Sequence, residues 1–278
     1  MNEQAHILTA ILTPDGLKPT PYTAASLHDA IRYEPAGVYT VTRTFHRTGA
    51  LELDAHLARL EESARLTGIP VQHSRAAIRT ALRTLIERAG YPETRFRITI
   101  AAETPEQVYF ALEPLTPVPE SVKRDGVAVQ TFAARRANPA AKSTSWMASR
   151  AALQVQMRPG MYEGLLVDSD GTILEGFSSN FYAILGGRLR TAGAGILNGI
   201  SRRIVLEVAP EIVPVEEQAV TLADIPALSE AFLTSSSRGV IPIVAIDDIP
   251  IGTGTPGPLT RRISAAYDAW AEKHIEPI

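Results

Sequence analysis

From Gly37 to Phe45 the chain alternates around Val38, Thr40 and Thr42, with β-branched residues between them, the period of a strand with one face turned inward. After a turn at His46–Gly49 the period changes. Leu53, Leu57, Leu60 and Ala64 recur at helical spacing, predicting a helix over Glu52–Leu66 with Asp54 as its N-cap and Gly68 as its stop. A second helix is predicted from Ser74 to Ala89, with Ile78, Leu82, Leu85 and Ile86 inward and Gly90 ending it. Strand period returns in Phe96–Ala101 and Gln107–Leu112, on either side of a Thr104-Pro105 turn.

Proline accumulates through Glu113–Glu120, a strand is predicted near Val127–Phe132, and Ala133–Ala141 follows no period. The remainder is richer in strands. Gly164–Asp168 and Thr172–Leu174 flank the turn sequence Asp168-Ser-Asp-Gly171, and Asn180–Leu185 and Arg188–Thr191 flank Gly186-Gly187, two hairpin signals. A helix over Gly199–Val208 follows, then strands near Ile212–Val215, Glu230–Thr234 and Ile241–Ile246. A closing helix runs from Pro258 to about Glu272. The expected class is α+β in two domains: 1–132 a small N-terminal domain, 133–141 an interdomain loop, and 142–278 a larger domain. The chain shows no internal repeat and no low-complexity tract.

Composition narrows the function classes. The 278 residues are 45% hydrophobic and 21% charged, with a formal net charge of −3 and scattered arginines, so no basic stripe argues for nucleic acid. There is no cysteine, hence neither a disulfide framework nor a thiolate metal site, and no metal is expected. No apolar run reaches the roughly 18–20 residues of a membrane span. The opening Met-Asn-Glu-Gln-Ala-His shows no leader pattern, which makes cytoplasmic residence the expectation.

Of 27 basic residues only four are lysines: Lys18, Lys123, Lys142 and Lys273. A primary amine can lose its proton and attack a carbonyl, which a guanidinium cannot, so a lysine kept in an arginine-rich chain is either a solvated survivor or a Schiff-base residue. Lys142 lies just past the aperiodic segment, at the start of a predicted helix. Glu175 ends an apolar strand, where a carboxylate either pairs with an arginine or serves a bound cation. In Ile196-Leu-Asn-Gly-Ile-Ser-Arg-Arg203, a glycine leads into a helix whose first N–H groups suit an anion, though a serine near a helix start is common for ordinary reasons. Thr234-Ser-Ser-Ser237 ends another strand with four hydroxyls that either hold a phosphate or close a turn. Arg59 is polar on a leucine-faced helix and by itself reads as solvated.

In order and spacing these segments resemble the class IV aminotransferases, pyridoxal-phosphate enzymes of fold type IV. His56-Leu-Ala-Arg-Leu60 with Ser63-Ala64 is similar to that family's motif helix. Asp170-Gly-Thr-Ile-Leu-Glu-Gly-Phe-Ser-Ser-Asn-Phe181 looks like its most recognisable block. Leu189-Arg-Thr191, Ile196–Arg202 and Phe232-Leu-Thr-Ser-Ser-Ser-Arg-Gly-Val-Ile-Pro242 continue it, and Gly252–Pro258 matches a run in several members. The resemblance implies a small α/β sandwich domain followed by a larger domain with a barrel-like sheet core flanked by helices. It implies that Lys142 holds pyridoxal 5'-phosphate as an internal aldimine and moves the substrate α-proton, and that Glu175 faces the protonated ring nitrogen. The N–H groups of Ile200 and Ser201, with Arg59, Ser235 and Ser236, would cradle the phosphate. His56 and Asn180 would be structural members of their motifs. The implied activity is transamination between an amino acid or primary amine and a keto acid, in ping-pong half-reactions, by a homodimer with a shared active site. A lyase on the same cofactor, of the aminodeoxychorismate lyase type, is the alternative, and a non-catalytic paralogue the remote one.

Substrate residues are less patterned. Gly37–Arg43 resembles the opening strand of D-amino-acid aminotransferases, which makes Tyr39 a substrate candidate. The loop Ala102-Glu-Thr-Pro-Glu-Gln107 lacks the Arg-x-His pair of those enzymes, and the arginine-bearing loop of the lyases is absent. Arg97 falls where branched-chain enzymes place an arginine in the carboxylate region. Trp146 stands near a position where many members have a tyrosine against the cofactor's ring oxygen; an indole N–H donates but cannot accept.

Overall fold

The computed structural model describes residues 7–278, so the N-terminal residues 1–6 read above for a leader lie outside the described part. The chain forms two compact units. The first is the chain up to Thr116 with Ala141–Met147 and His274–Ile278; the second is Pro117–Ala140 with Ala148–Lys273.

In the first unit, β1 (Leu8–Thr13), β2 (Gly16–Pro19), α1 (Leu27–Ala30), β3 (Gly37–Phe45), β4 (Gly49–Leu51), α2 (Leu53–Leu66), α3 (Arg75–Ala89), β5 (Thr94–Ala101) and β6 (Val108–Pro114) follow in order. The C-terminal strand Ile275–Pro277 joins them, giving a seven-stranded antiparallel sheet in the order C-terminal strand, β4, β3, β5, β6, β1, β2. Leu53, Leu57 and Leu60 of α2 and Ile78, Leu82, Leu85 and Ile86 of α3 are buried against Val38, Phe96, Ile98, Ile100, Phe110 and Leu112 of the sheet. Each such side chain removed from water contributes roughly 1.5–3 kcal/mol, so this seam holds the helix that carries Arg59 and Ser63. Asp54 is not the N-cap of α2. That place falls to Glu52 in left-handed backbone (φ 53°) without a side-chain cap, and Asp54 instead pairs with Arg79 at 2.9 Å.

The second unit holds α4 (Glu120–Asp125), β7 (Val127–Ala133), most of α5 (Thr144–Gln154), β8 (Glu163–Val167), β9 (Ile173–Gly176), β10 (Asn180–Leu185), β11 (Arg188–Arg190), α6 (Ile200–Val208), β12 (Val215–Glu216), β13 (Glu230–Ser235), β14 (Gly239–Ile246), β15 (Ile249–Pro250) and α7 (Pro258–Lys273). Its main sheet runs β12-β11-β10-β13-β14-β7-β8-β9, and β9 pairs back on β10 at Glu175↔Asn180. Six strands therefore close on themselves, and Val129, Leu165, Val167, Ile173, Phe181, Ala183, Leu233, Ile241 and Ile243 are part of one buried cluster. The α+β class with a barrel-like sheet core is thus borne out. β7, counted above with the first domain, lies in this second sheet, parallel to both β14 and β8. Of the strand expected near Ile212–Val215 only Val215 is extended, in the two-residue β12, and a 3-10 turn (Ala209–Glu211) comes before it. Among the described residues no helix is long and apolar enough to cross a membrane.

Candidate active site

Lys142 belongs to the first unit, where three backbone ties hold its segment to that unit's helix and sheet. Its N–H donates to Ser63 Oγ (3.1 Å), its carbonyl accepts from the Tyr39 N–H (2.9 Å), and Ser143 bridges Val38. Two residues on, Thr144 Oγ1 accepts from the Gly37 N–H at 2.9 Å. Gly37 has to be a glycine, because a Cβ there would sit 2.0 Å from the Ile100 carbonyl oxygen across the β3–β5 pairing. With its backbone fixed at both ends, Lys142 projects its amine over the buried Tyr39 ring, 4.7 Å from the centroid.

The motif helix supplies the tie. On α2 the Ser63 hydroxyl donates to the Arg59 carbonyl (2.8 Å), which directs its lone pairs to the Lys142 N–H. The Arg59 Nη2 lies 3.4 Å from Thr40 Oγ1, and the buried His56 shares a 2.8 Å hydrogen bond with the same hydroxyl through Nδ1. Arg59, His56, Ser63, Tyr39 and Lys142 therefore form one constellation.

Arg97 does not fit its expected role. Its Nε (2.8 Å) and Nη2 (2.5 Å) grip both oxygens of Glu34, Nη1 donates to the Leu27 carbonyl (2.8 Å), and the residue is 2% exposed. A fork spent on an internal carboxylate is not offered to a substrate's. Trp146 is buried in the first turn of α5.

In the second unit the closing row of the barrel sets the chemistry. Glu175, Asn180 and Thr234 are paired across β9, β10 and β13. Glu175 is 3% exposed, its Oε2 accepts the Leu197 N–H at 3.1 Å, and Arg136 Nη1 lies 3.5 Å from Oε1. Asn180 donates to the Leu197 carbonyl (2.9 Å), and its Oδ1 occupies the place where a Cβ on Gly199 would go, 2.2 Å away. Gly199 is therefore the N-cap of α6 for want of space. The first intrahelical bond is Arg203 N–H to Gly199 O, which leaves the N–H groups of Ile200 and Ser201 ahead of the ladder and suited to an anion. The Ser201 hydroxyl shares a 2.9 Å hydrogen bond with the Tyr267 hydroxyl of α7.

After Thr234 the chain turns through Ser235–Arg238 into β14. Arg238 Nε donates to Ser235 Oγ (2.8 Å) and Nη1 to the buried Glu163 (2.7 Å), while Ser236 is half-buried in the same turn. Burial would raise the Glu163 carboxyl, but the Arg238 charge and hydrogen bond, with donors from Ser178 and Ser179, hold it below the ordinary carboxylate range. A hydroxyl turn, a helix start and a buried carboxylate beside an arginine match what a phosphorylated pyridine cofactor asks of the protein that binds it.

Sequence reasoning missed Arg136, Glu163, Arg238 and the role of Ser63. Arg136 sits in the aperiodic Ala133–Ala141, where no spacing marks it, and Glu163 precedes its strand's apolar run. Arg238 and Ser63 lay inside quoted motifs, but no spacing rule says what they bind.

Comparison with known proteins agrees with this arrangement. The sequence profile described as amino-transferase class IV matches residues 37–246. The D-alanine aminotransferase of Bacillus licheniformis is 31% identical over 245 residues, 83% of this chain and 86% of that protein. The branched-chain-amino-acid aminotransferase of Pseudomonas aeruginosa is 27% identical over 83% of this chain and 82% of its own. Among solved structures, the branched-chain aminotransferase of the archaeon Thermoproteus uzoniensis with norvaline superposes with a TM-score of 0.81 at 21% identity, covering 98% of this chain and 99% of that one.

Proposed function

Because the chain belongs to the class IV aminotransferases, we propose that it moves an amino group between an amino acid or primary amine and a keto acid, using pyridoxal 5'-phosphate attached through Lys142. The observation that carries this reading is the seating of Lys142. Its backbone is tied on both sides to Ser63 and Tyr39, so the amine has a fixed origin beside an aromatic face.

When bound, the cofactor supplies an electron sink for the charge left on the substrate carbon. The protein does the rest. Lys142 gives the covalent attachment and afterwards takes and returns the α-proton at Nζ. Glu175, held by the Leu197 N–H and Arg136, would accept a hydrogen bond from a protonated ring nitrogen. The N–H groups of Ile200 and Ser201, the hydroxyls of Ser235 and Ser236, and Arg59 hold the phosphate. Tyr39 and Trp146 are the residues we assign to the substrate side.

The test is a donor panel of L-amino acids, D-amino acids and (R)-amines run with and without keto-acid acceptors. The reading predicts turnover that needs both partners and parallel-line, ping-pong kinetics. Release of keto product from a donor with no acceptor present would instead assign the lyase reaction, and no turnover with any donor would overturn both.

A further inference from the structure

We infer that Glu163 and Arg238 are a positioning pair that fixes the Ser235 hydroxyl as a hydrogen-bond donor to a phosphate monoester. The inference rests on the cofactor reading above and adds to it two residues of the same unit that touch no cofactor themselves.

The geometry is a relay with a single free proton at its end. Glu163 stands at the start of β8, 4% exposed. Its Oε1 accepts the Ser178 N–H (2.6 Å), the Ser178 hydroxyl (3.1 Å) and the Ser179 hydroxyl (3.0 Å); its Oε2 accepts Arg238 Nη1 (2.7 Å). The loop after Glu175 closes tightly over this carboxylate, since a Cβ on Gly176 would lie 2.1 Å from Ser179 Oγ and 2.9 Å from Glu163 Oε1. Arg238 is held in plane on three sides: Nη1 to Glu163, Nη2 to Ser178 Oγ (3.1 Å) and Nε to Ser235 Oγ (2.8 Å). The partly buried Tyr162 ring lies 5.6 Å from its guanidinium carbon.

A serine hydroxyl has one proton and two lone pairs. At Ser178 the proton goes to Glu163. At Ser235 the Arg238 N–H occupies a lone pair, and among the described residues the proton has no acceptor. Ser235 is therefore turned into a donor, polarised by a neighbouring cation, at the end of the strand where Thr234 faces Asn180. A lysine at 238 could carry the charge but not the fork that reaches Glu163, Ser178 and Ser235 together.

The test compares pyridoxal phosphate with pyridoxal, which lacks the phosphate, by absorbance titration. Four proteins are used: wild type, Ser235→Ala, the paired variant Glu163→Gln with Arg238→Met, and all three changes together. Removing both charges at once avoids stranding one of them in the interior. The pair variant should bind pyridoxal phosphate about tenfold more weakly, the loss of one charge-assisted hydrogen bond, and pyridoxal within about twofold of wild type. Ser235→Ala should show the same selective loss, and the triple variant should be no weaker than either, because the effects share one path. Equal weakening toward both compounds, or effects of the pair and of Ser235→Ala that multiply, would overturn the inference and leave the pair a structural one. If the pair variant does not fold, Arg238→Gln alone completes the same cycle with the same criteria. Wild-type protein that binds neither compound would overturn the cofactor reading itself.

Discussion

Two residues in this chain are decided by fractions of an ångström or by a single charge. At Gly199 a methyl group would meet the Asn180 side-chain oxygen at 2.2 Å, yet Asn180 is buried, its side chain bonded to Leu197 and its backbone paired with Thr234 and Glu175. Gly199→Ala should therefore cost about 1–3 kcal/mol, as overpacking does, and weaken phosphate binding at the α6 start. Urea denaturation and inorganic phosphate titration measure the two effects. Glu163 is decided by charge instead. Its folded carboxyl titrates below the ordinary value of 4.5, so its contribution is present above that value and is lost as pH falls through the lower, folded one. Urea midpoints taken from pH 7 down to about 3 should fall on acidification in wild type. Glu163→Gln should be less stable at neutral pH and show a shallower acid decline. Identical acid limbs in the two proteins would contradict the assignment.

At the level of elements, the lysine is held by helix and strand rather than by its own helix. Ser63 on α2 and Tyr39 on β3 take its two backbone groups. Ser63→Ala removes the hydroxyl that accepts the Lys142 N–H and should destabilise the protein by roughly 1–2 kcal/mol, while slowing borohydride fixation of the cofactor. A stability loss with unchanged fixation would reduce Ser63 to packing. This level also shows what could be read from the chain. Strong periodicity found α2, α3, β3, β5, β6 and the hairpins of the second unit, because apolar spacing is local. Leu8–Thr13, Gly49–Leu51 and Ile275–Pro277 escaped, since short strands owe their state to partners far along the chain. The site divides the same way. Glu175 stands in a dense family motif and Lys142 is one of only four lysines, whereas Arg136 pairs with Glu175 across 39 residues and nothing near it in sequence announces the contact. Arg97 failed as a substrate residue for the same reason, its partner Glu34 lying 63 residues away.

On the scale of the whole molecule, one chain carries the amine in one unit and the candidate ring and phosphate partners Glu175, Ile200, Ser201, Ser235 and Ser236 in the other. We expect the working form to be a homodimer, as the family resemblance implies; sedimentation should give twice the chain mass, and a monomer with full activity would contradict it. The central claim is narrower and sharper: of four lysines, one holds the cofactor. Protein loaded with pyridoxal phosphate, reduced with borohydride and digested should carry the phosphopyridoxyl mass on the peptide containing Lys142 and on no peptide containing Lys18, Lys123 or Lys273. Lys142→Ala should carry none. Label on another lysine, or undiminished label in Lys142→Ala, would contradict the account.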